Sequence, residues 1–297
     1  MPDSRQTTSG QSAAQWIWDH QSIWSQAANH AKRAIGRARA TALALGVVAA
    51  VAGTAAAQTL PHNEKVGSVL AFLASTAAGL APFATRSAGP QQLREWTRLR
   101  SVSEELKSET YRYLSRVAPY RDEDSPQILR DRVERLLADA SDLAVRTHAL
   151  MPRQRSLPAV TDVGSYIELR VTGQIERYYR PRAAHMYQRS AQIRRMELTL
   201  ACAAAVLGAF SGAFSADWAA AWMATVTTVS AAVIAHAAAS RYAYQEVEFS
   251  RTAAELERLS SRPADEHSPA ADDAMVAQCE HVISVQNEGW MAKWASE

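Results

Sequence analysis

Histidines, cysteines and acidic residues are the natural places to look for chemistry, and in this chain none of them forms a reacting set. Cys202 lies in an apolar run and Cys279 in a charged tail, which gives neither a disulfide framework nor a CxxC metal-ligand spacing. No HExxH pair, GxSxG elbow or glycine-rich phosphate loop is present. The carboxylates fall on arginine-rich amphipathic faces, the pattern of solvated helix surfaces. The sequence therefore predicts no enzyme, no metal and no cofactor. The chemistry it does offer is that of packing and charge placement. Gly208 and Gly212 form a GxxxG whose glycines share a helix face and admit a second helix closely. Gly46, Ala50, Gly53 and Ala57 make a comparable small stripe. Either set could serve packing inside one hairpin or contact between subunits. His236 is the only ionisable residue well within the last apolar run, where such groups face bundle interiors, water paths or, near an end, the interface.

These residues lie on elements of one kind. Alternating β-branched and aromatic runs are missing, alanine is abundant, and the chain reads as an all-α membrane protein. Residues 41–60 and 66–85 are uncharged runs of membrane length joined by the turn PHNEK; about 20 residues at ~1.5 Å each cross a ~30 Å hydrocarbon core. Residues 198–216 and 218–240 repeat the arrangement, with Asp217 as the turn cap and Trp218 at the interface where an aromatic belt is expected. Pro82 is expected to loosen the end of the second run. The fold class is thus two transmembrane hairpins, four spans in all, carrying long amphipathic helices. The first run begins too far into the chain for a cleaved signal peptide.

Residues 1–12 are polar and expected to be disordered. Residues 13–150 form a first domain. It has an aromatic helix to Ala40, the first hairpin, an amphipathic helix over 93–117 with Leu99, Val102 and Leu106 on one face, and a helix from Ser125 to His148 started by Ser125-Pro126. The proline-bearing stretch 151–160 is the expected linker. Residues 161–297 begin again. A long helix is expected to break near Pro181, a hairpin follows whose last helix continues past Arg241, and a C-terminal helix aligns Met275, Cys279, Val282, Gln286, Trp290 and Trp294. The halves share an order of features. Trp24-x5-His30 matches Tyr179-x5-His185 at an offset near 155 residues, and SEEL (103–106) matches AAEL (253–256).

Charge separates spans from a buried soluble bundle. On the terminal side, near the hairpin ends, stand fourteen basic residues, among them Lys32, Arg33, Arg37, Arg39, Arg194, Arg195 and Arg241; the two turns hold only Lys65. That asymmetry predicts a multi-pass protein of the cell (inner) membrane with both termini cytoplasmic. The same basic residues could bind anionic headgroups or act only as topology determinants. A net charge of +2 is too balanced for a nucleic-acid binder.

Tyr166-x3-Arg170-x3-Gln174-x3-Tyr178, followed by a basic stretch, a two-span hairpin and RYAYQEVEFSRTAAEL from Arg241, resembles the SLATT domains. These are two-transmembrane effector domains associated with nucleotide-synthesising (SMODS) and nucleotide-sensing (SLOG) proteins, and they overlap a bacterial domain of unknown function. The resemblance covers residues 160–295 best, and the first half looks like a diverged second copy. It implies a bacterial membrane effector that forms pores or perturbs the membrane in conflict or self-killing responses. It also implies a separate nucleotide-synthase or nucleotide-sensor partner, since none is fused here. The expected partners are thus the lipid bilayer, further copies of the chain and such a sensor. The competing expectation is a membrane-anchored scaffold or sensor whose polar helices bind a partner without conduction.

Overall fold

The computed structural model describes residues 4–261 and 268–295, with side chains over 12–261 and 268–284. Among them there is no strand. The order is α1 (Ser4–Thr59), α2 (Glu64–Arg86), α3 (Pro90–Leu114), α4 (Ser125–Asp139), a 3-10 turn (Ser141–Arg146) and α5 (Val163–Tyr166). Two π-helical segments (Ile167–Thr172 and Ile175–Tyr179) lead into α6 (Arg180–Phe214), followed by α7 (Asp217–Ser240), α8 (Tyr242–Ser260) and α9 (Pro269–Ala295). Four of these helical stretches are long and apolar enough to cross a membrane. α1 is a single helix through both the aromatic segment and the first span, and it begins inside the stretch whose composition predicts disorder.

The chain divides into two compact units that cut across its sequence halves. One comprises Met1–Arg33, Pro90–Ala183 and Val247–Glu297; the other comprises Ala34–Gly89 and Ala184–Glu246. Among the described residues, most of the large buried side chains belong to the first, polar unit. Ile17, Leu99, Leu106, Leu129, Val133, Tyr166, Leu256 and Val276 are almost inaccessible, and full burial of such a side chain stabilises by about 1.5–3 kcal/mol. The stretch 151–160 is fastened to α1. Trp18 Nε1 donates to the Ser156 carbonyl at 3.1 Å, Arg155 donates to the Trp18 carbonyl at 2.7 Å, and the Arg155 guanidinium lies 3.9 Å over the Trp18 ring.

Some boundaries differ from the sequence expectation. α4 stops at Asp139 rather than His148, because the following 3-10 turn is tied to α3: Arg98 holds Asp142 through two bonds of 2.5 and 2.8 Å, and Arg146 reaches Glu95 at 2.6 Å. Its N-cap is Asp124, with Pro126 in the first turn. α7 does not run on into α8: Arg241 takes a left-handed backbone, φ 48°, and ends the helix. Such a conformation costs a non-glycine residue roughly 1–2 kcal/mol. Asp217 is the first residue of α7, whose N-cap is Ala216, so it complements the helix dipole without capping a turn. The helix is not broken at Pro181 but stays continuous from Val163 to Phe214. The missing proline N–H is absorbed where π-helix passes into α-helix.

The second unit is packed mainly on small residues, with Ile35, Met186 and Val233 also buried. Ala52, Ala56, Ala77, Ala219 and Thr225 are buried in it. The hydroxyls of Thr54 and Thr225 hydrogen-bond, joining the first span to the fourth. A Cβ on Gly53 would meet Ala74 at 3.8 Å. Most exposed large apolar side chains belong to this unit, from Phe72 at 74% and Phe214 at 70% to Val206 at 68%. A surface of this kind suits lipid and not water.

Candidate functional site

Two helical faces meet at a charge cluster inside the polar unit. Tyr166, Arg170, Gln174 and Tyr178 follow a strict four-residue period. In a helix of 3.6 residues per turn that period precesses by about 40° per step and would leave one face within three steps. The wider π turns at Ile167–Thr172 and Ile175–Tyr179 reverse the drift, so Tyr166, Arg170 and Gln174 all reach the same network. π turns of this type concentrate at functional sites. α3 supplies the opposing stripe Arg100, Glu104, Lys107 and Tyr111, and α9 supplies Glu280 between the buried Val276 and Ile283.

At the centre, Arg170 is 1% exposed and Glu280 3% exposed. Arg170 Nε donates to Glu280 Oε1 at 2.9 Å and its Nη2 to Oε2 at 2.9 Å, a bidentate pair, and the Tyr166 hydroxyl donates to Oε1 at 2.9 Å. The Tyr111 ring lies 4.7 Å from the Arg170 guanidinium. With its amide oriented to satisfy both neighbours, Gln174 accepts from Lys107 Nζ at 3.2 Å and from Arg170 Nη1 at 2.9 Å. Arg100 pairs with Glu104 at 2.7 Å. Charges so buried are stable only as a fully satisfied set.

The protonation states follow. Burial alone would raise the Glu104 carboxyl, but Lys107, Arg100 and Arg170 more than offset it and hold it down at about 2. Glu280 is likewise depressed, against its burial, by Arg170 and the Tyr166 hydroxyl. Lys107 is pushed down to about 8 by burial, which Glu104 opposes and Arg170 and Arg100 reinforce. A carboxylate with a lowered folded pKa contributes stability that is complete above its unfolded value, near 4.5, and is lost as pH falls through the folded value. The thermal stability of the detergent-solubilised chain, followed by circular dichroism, is therefore expected to drop as pH falls from 4.5 toward about 2, with a smaller drop in Glu104→Gln.

Of the residues singled out in the sequence, Tyr166, Arg170 and Gln174 converge here. Tyr178 is half-buried and packs edge-on against Tyr179 and Phe249. The acidic residues are a correction: Glu104, Glu109 and Glu280 are buried, not solvated. The spacing Val276-x3-Glu280-x2-Ile283 is the signal that could have found Glu280. Lys32 and Arg33 end the polar unit's share of α1, whereas Arg37, Arg39, Arg194, Arg195 and Arg241 belong to the span unit. There Arg39 donates to the Ala239 carbonyl at 3.1 Å. Gly208 is occupied within its own hairpin, since a Cβ there would meet Met223 Sδ at 2.9 Å, while Cβ atoms on Gly46 and Gly212 would meet nothing within 4 Å. Thr225, Thr227 and Thr228 return their hydroxyls to carbonyls one turn back. His236 is half-buried. Trp290 and Trp294 lie outside the described side chains. No group of three or more His, Cys, Asp or Glu is placed to hold a metal ion among the described residues.

At the offset that aligns Trp24 with Tyr179, Gln15 stands in place of Arg170 and Asp19 in place of Gln174. Gln15 bonds to Asp19 at 2.9 Å instead of to a buried acid. The buried pair thus belongs to the second half alone.

A helical chain with four membrane-length helices and this motif in its polar part defines a class, that of multi-span membrane proteins with a helical extramembrane unit. Residues 166–290 match the SMODS and SLOG-associating 2TM effector domain 1. Residues 22–127 match a protein family of unknown function, DUF4231. No curated protein and no solved structure is significantly similar to the chain.

Proposed function

We propose that the protein is a non-enzymatic, oligomeric membrane effector, with both termini on the cytoplasmic side of the inner membrane, that opens or perturbs the bilayer when a separate sensor protein acts on its polar unit. The observation that carries this reading is the pairing of a SLATT match with one uninterrupted helix, Val163–Phe214, whose first part holds the buried network and whose last part is the third span. A change at Arg170 and Glu280 has a continuous helix along which to reach the third span. Gly46 and Gly212, open in the single chain, are the faces on which copies associate. Expression of the chain with its activator is expected to collapse the membrane potential. Gly46→Leu with Gly212→Leu should abolish the collapse while the protein stays in the membrane fraction. An unchanged potential in the unsubstituted protein would reject conduction. The second reading, a non-conducting scaffold, draws on an open groove between α8 and α9 of about 400 Å³, lined by Glu248, Arg251, Glu255, Gln278, His281 and Val282, which a partner could enter.

A further inference from the structure

The polar unit carries a second charge cluster. It lies on the residues that end this unit's share of two helices: Lys32 on α1 and Arg182 on α6. The Lys32 ammonium lies 5.6 Å over the ring of Trp96, and the Arg182 guanidinium 5.6 Å over the ring of Tyr178. Two helices repeat one arrangement, an aromatic followed four residues on by arginine: Trp96 and Arg100 on α3, Tyr178 and Arg182 on the helix opposite. Trp96 is buried, Arg100 and Tyr178 are half-buried, and Lys32 and Arg182 are exposed and can be reached from solvent. Although the Lys32 side chain as a whole is exposed, its ammonium is packed among neighbouring groups, and that desolvation, then Arg182, then Arg100, pushes it down to about 8. Like charges gathered against aromatic walls repel, and a compact polyanion between them would remove that repulsion while taking donors from three helices.

We propose that Lys32, Arg100 and Arg182 form a binding site for a phosphate-bearing anion, with Trp96 and Tyr178 as its walls. Both a lipid headgroup and a soluble phosphate ester carry that chemistry. The site differs from a surface basic belt in drawing on α3 and on aromatic faces, and it does not depend on whether the spans conduct. It also touches the buried network. Arg100 holds Glu104 at 2.7 Å, so an anion that draws on Arg100 loosens Glu104, which lies beside Lys107 and Arg170.

The test uses the full chain in phosphatidylcholine mixed micelles, titrated separately with inorganic pyrophosphate and with short-chain phosphatidic acid. Thermal unfolding and the rate of Lys32 acylation, read by mass spectrometry, report binding. The expected result is a higher unfolding temperature and slower acylation in the wild type. Lys32→Gln with Arg182→Gln should bind about tenfold more weakly or worse, measured by unfolding temperature, while Arg189→Gln responds as wild type. The double variant removes the mutual repulsion together with two cation–π contacts, so its response is read against its own ligand-free unfolding temperature. A response to phosphatidic acid alone assigns the site to headgroups; a response to pyrophosphate as well assigns it to soluble phosphates. No response to either, or an undiminished response in the double variant, overturns the site.

Discussion

Glu280→Leu is expected to destabilise the polar unit by about 3–5 kcal/mol, because it leaves the Arg170 guanidinium buried with its bidentate partner gone. An arginine cannot shed its proton to escape, and at 1% exposure water does not reach it. Arg170→Met should cost a similar amount by stranding the Glu280 carboxylate, which can relieve itself only by taking up a proton. Removing both charges is a different experiment. Arg170→Met with Glu280→Leu should cost far less than the sum, since the main loss in each single variant is the uncompensated partner. Tyr166→Phe, which removes one hydrogen bond to the same carboxylate, should cost about 1–2 kcal/mol. Denaturant unfolding of the four proteins in detergent checks the set, and strictly additive losses would show that the pair is not the joint between these helices.

The second large effect is at Gly67. A Cβ there would lie 2.6 Å from Leu60 Cγ and 2.8 Å from both the Leu60 Cα and its backbone nitrogen. Two of those three atoms are backbone, so the turn between the first two spans must open to admit even alanine. The amide of Gly67 also closes the first turn of α2 onto the Asn63 carbonyl at 2.9 Å, and Asn63 caps Val66. Gly67→Ala is therefore expected to cost about 1–3 kcal/mol, and Gly67→Val more. Gly46→Ala, in open space, should be nearly silent or slightly stabilising through its better helix propensity. Thermal unfolding of the two alanine variants in one detergent makes the comparison. Equal effects would mean that the close approach to Leu60 does not hold the turn.

The spans were legible because an uncharged run of twenty residues has few alternatives, and because arginines accumulate on only one side of it. The helices of the polar unit were legible from their leucine spacing. Their ends were not: α4 is cut short by ion pairs from Arg98 and Arg146 to residues far away in sequence, and no local pattern announces those. The buried network was half visible. Tyr166, Arg170 and Gln174 stood out through family resemblance, but Glu280, Glu104 and Lys107 look in sequence like members of solvated salt-bridge stripes. Only the three-dimensional meeting of α3, α9 and the π-helical segment makes them interior. The period of four, as against 3.6, was the unread sign that the helix would widen there. Gly67 was invisible because its partner, Leu60, lies in the connection between α1 and α2 and any glycine in an alanine-rich hairpin looks alike.

The most direct test of the effector reading is conductance across a planar bilayer reconstituted with the purified full-length chain. Without the sensor, the account predicts rare current steps from the wild type, frequent discrete steps from Glu280→Leu, where α9 has lost its anchor on Arg170, and none when Gly46→Leu and Gly212→Leu are added, despite equal incorporation. A flat record from both the wild type and Glu280→Leu, with incorporation verified, would contradict it.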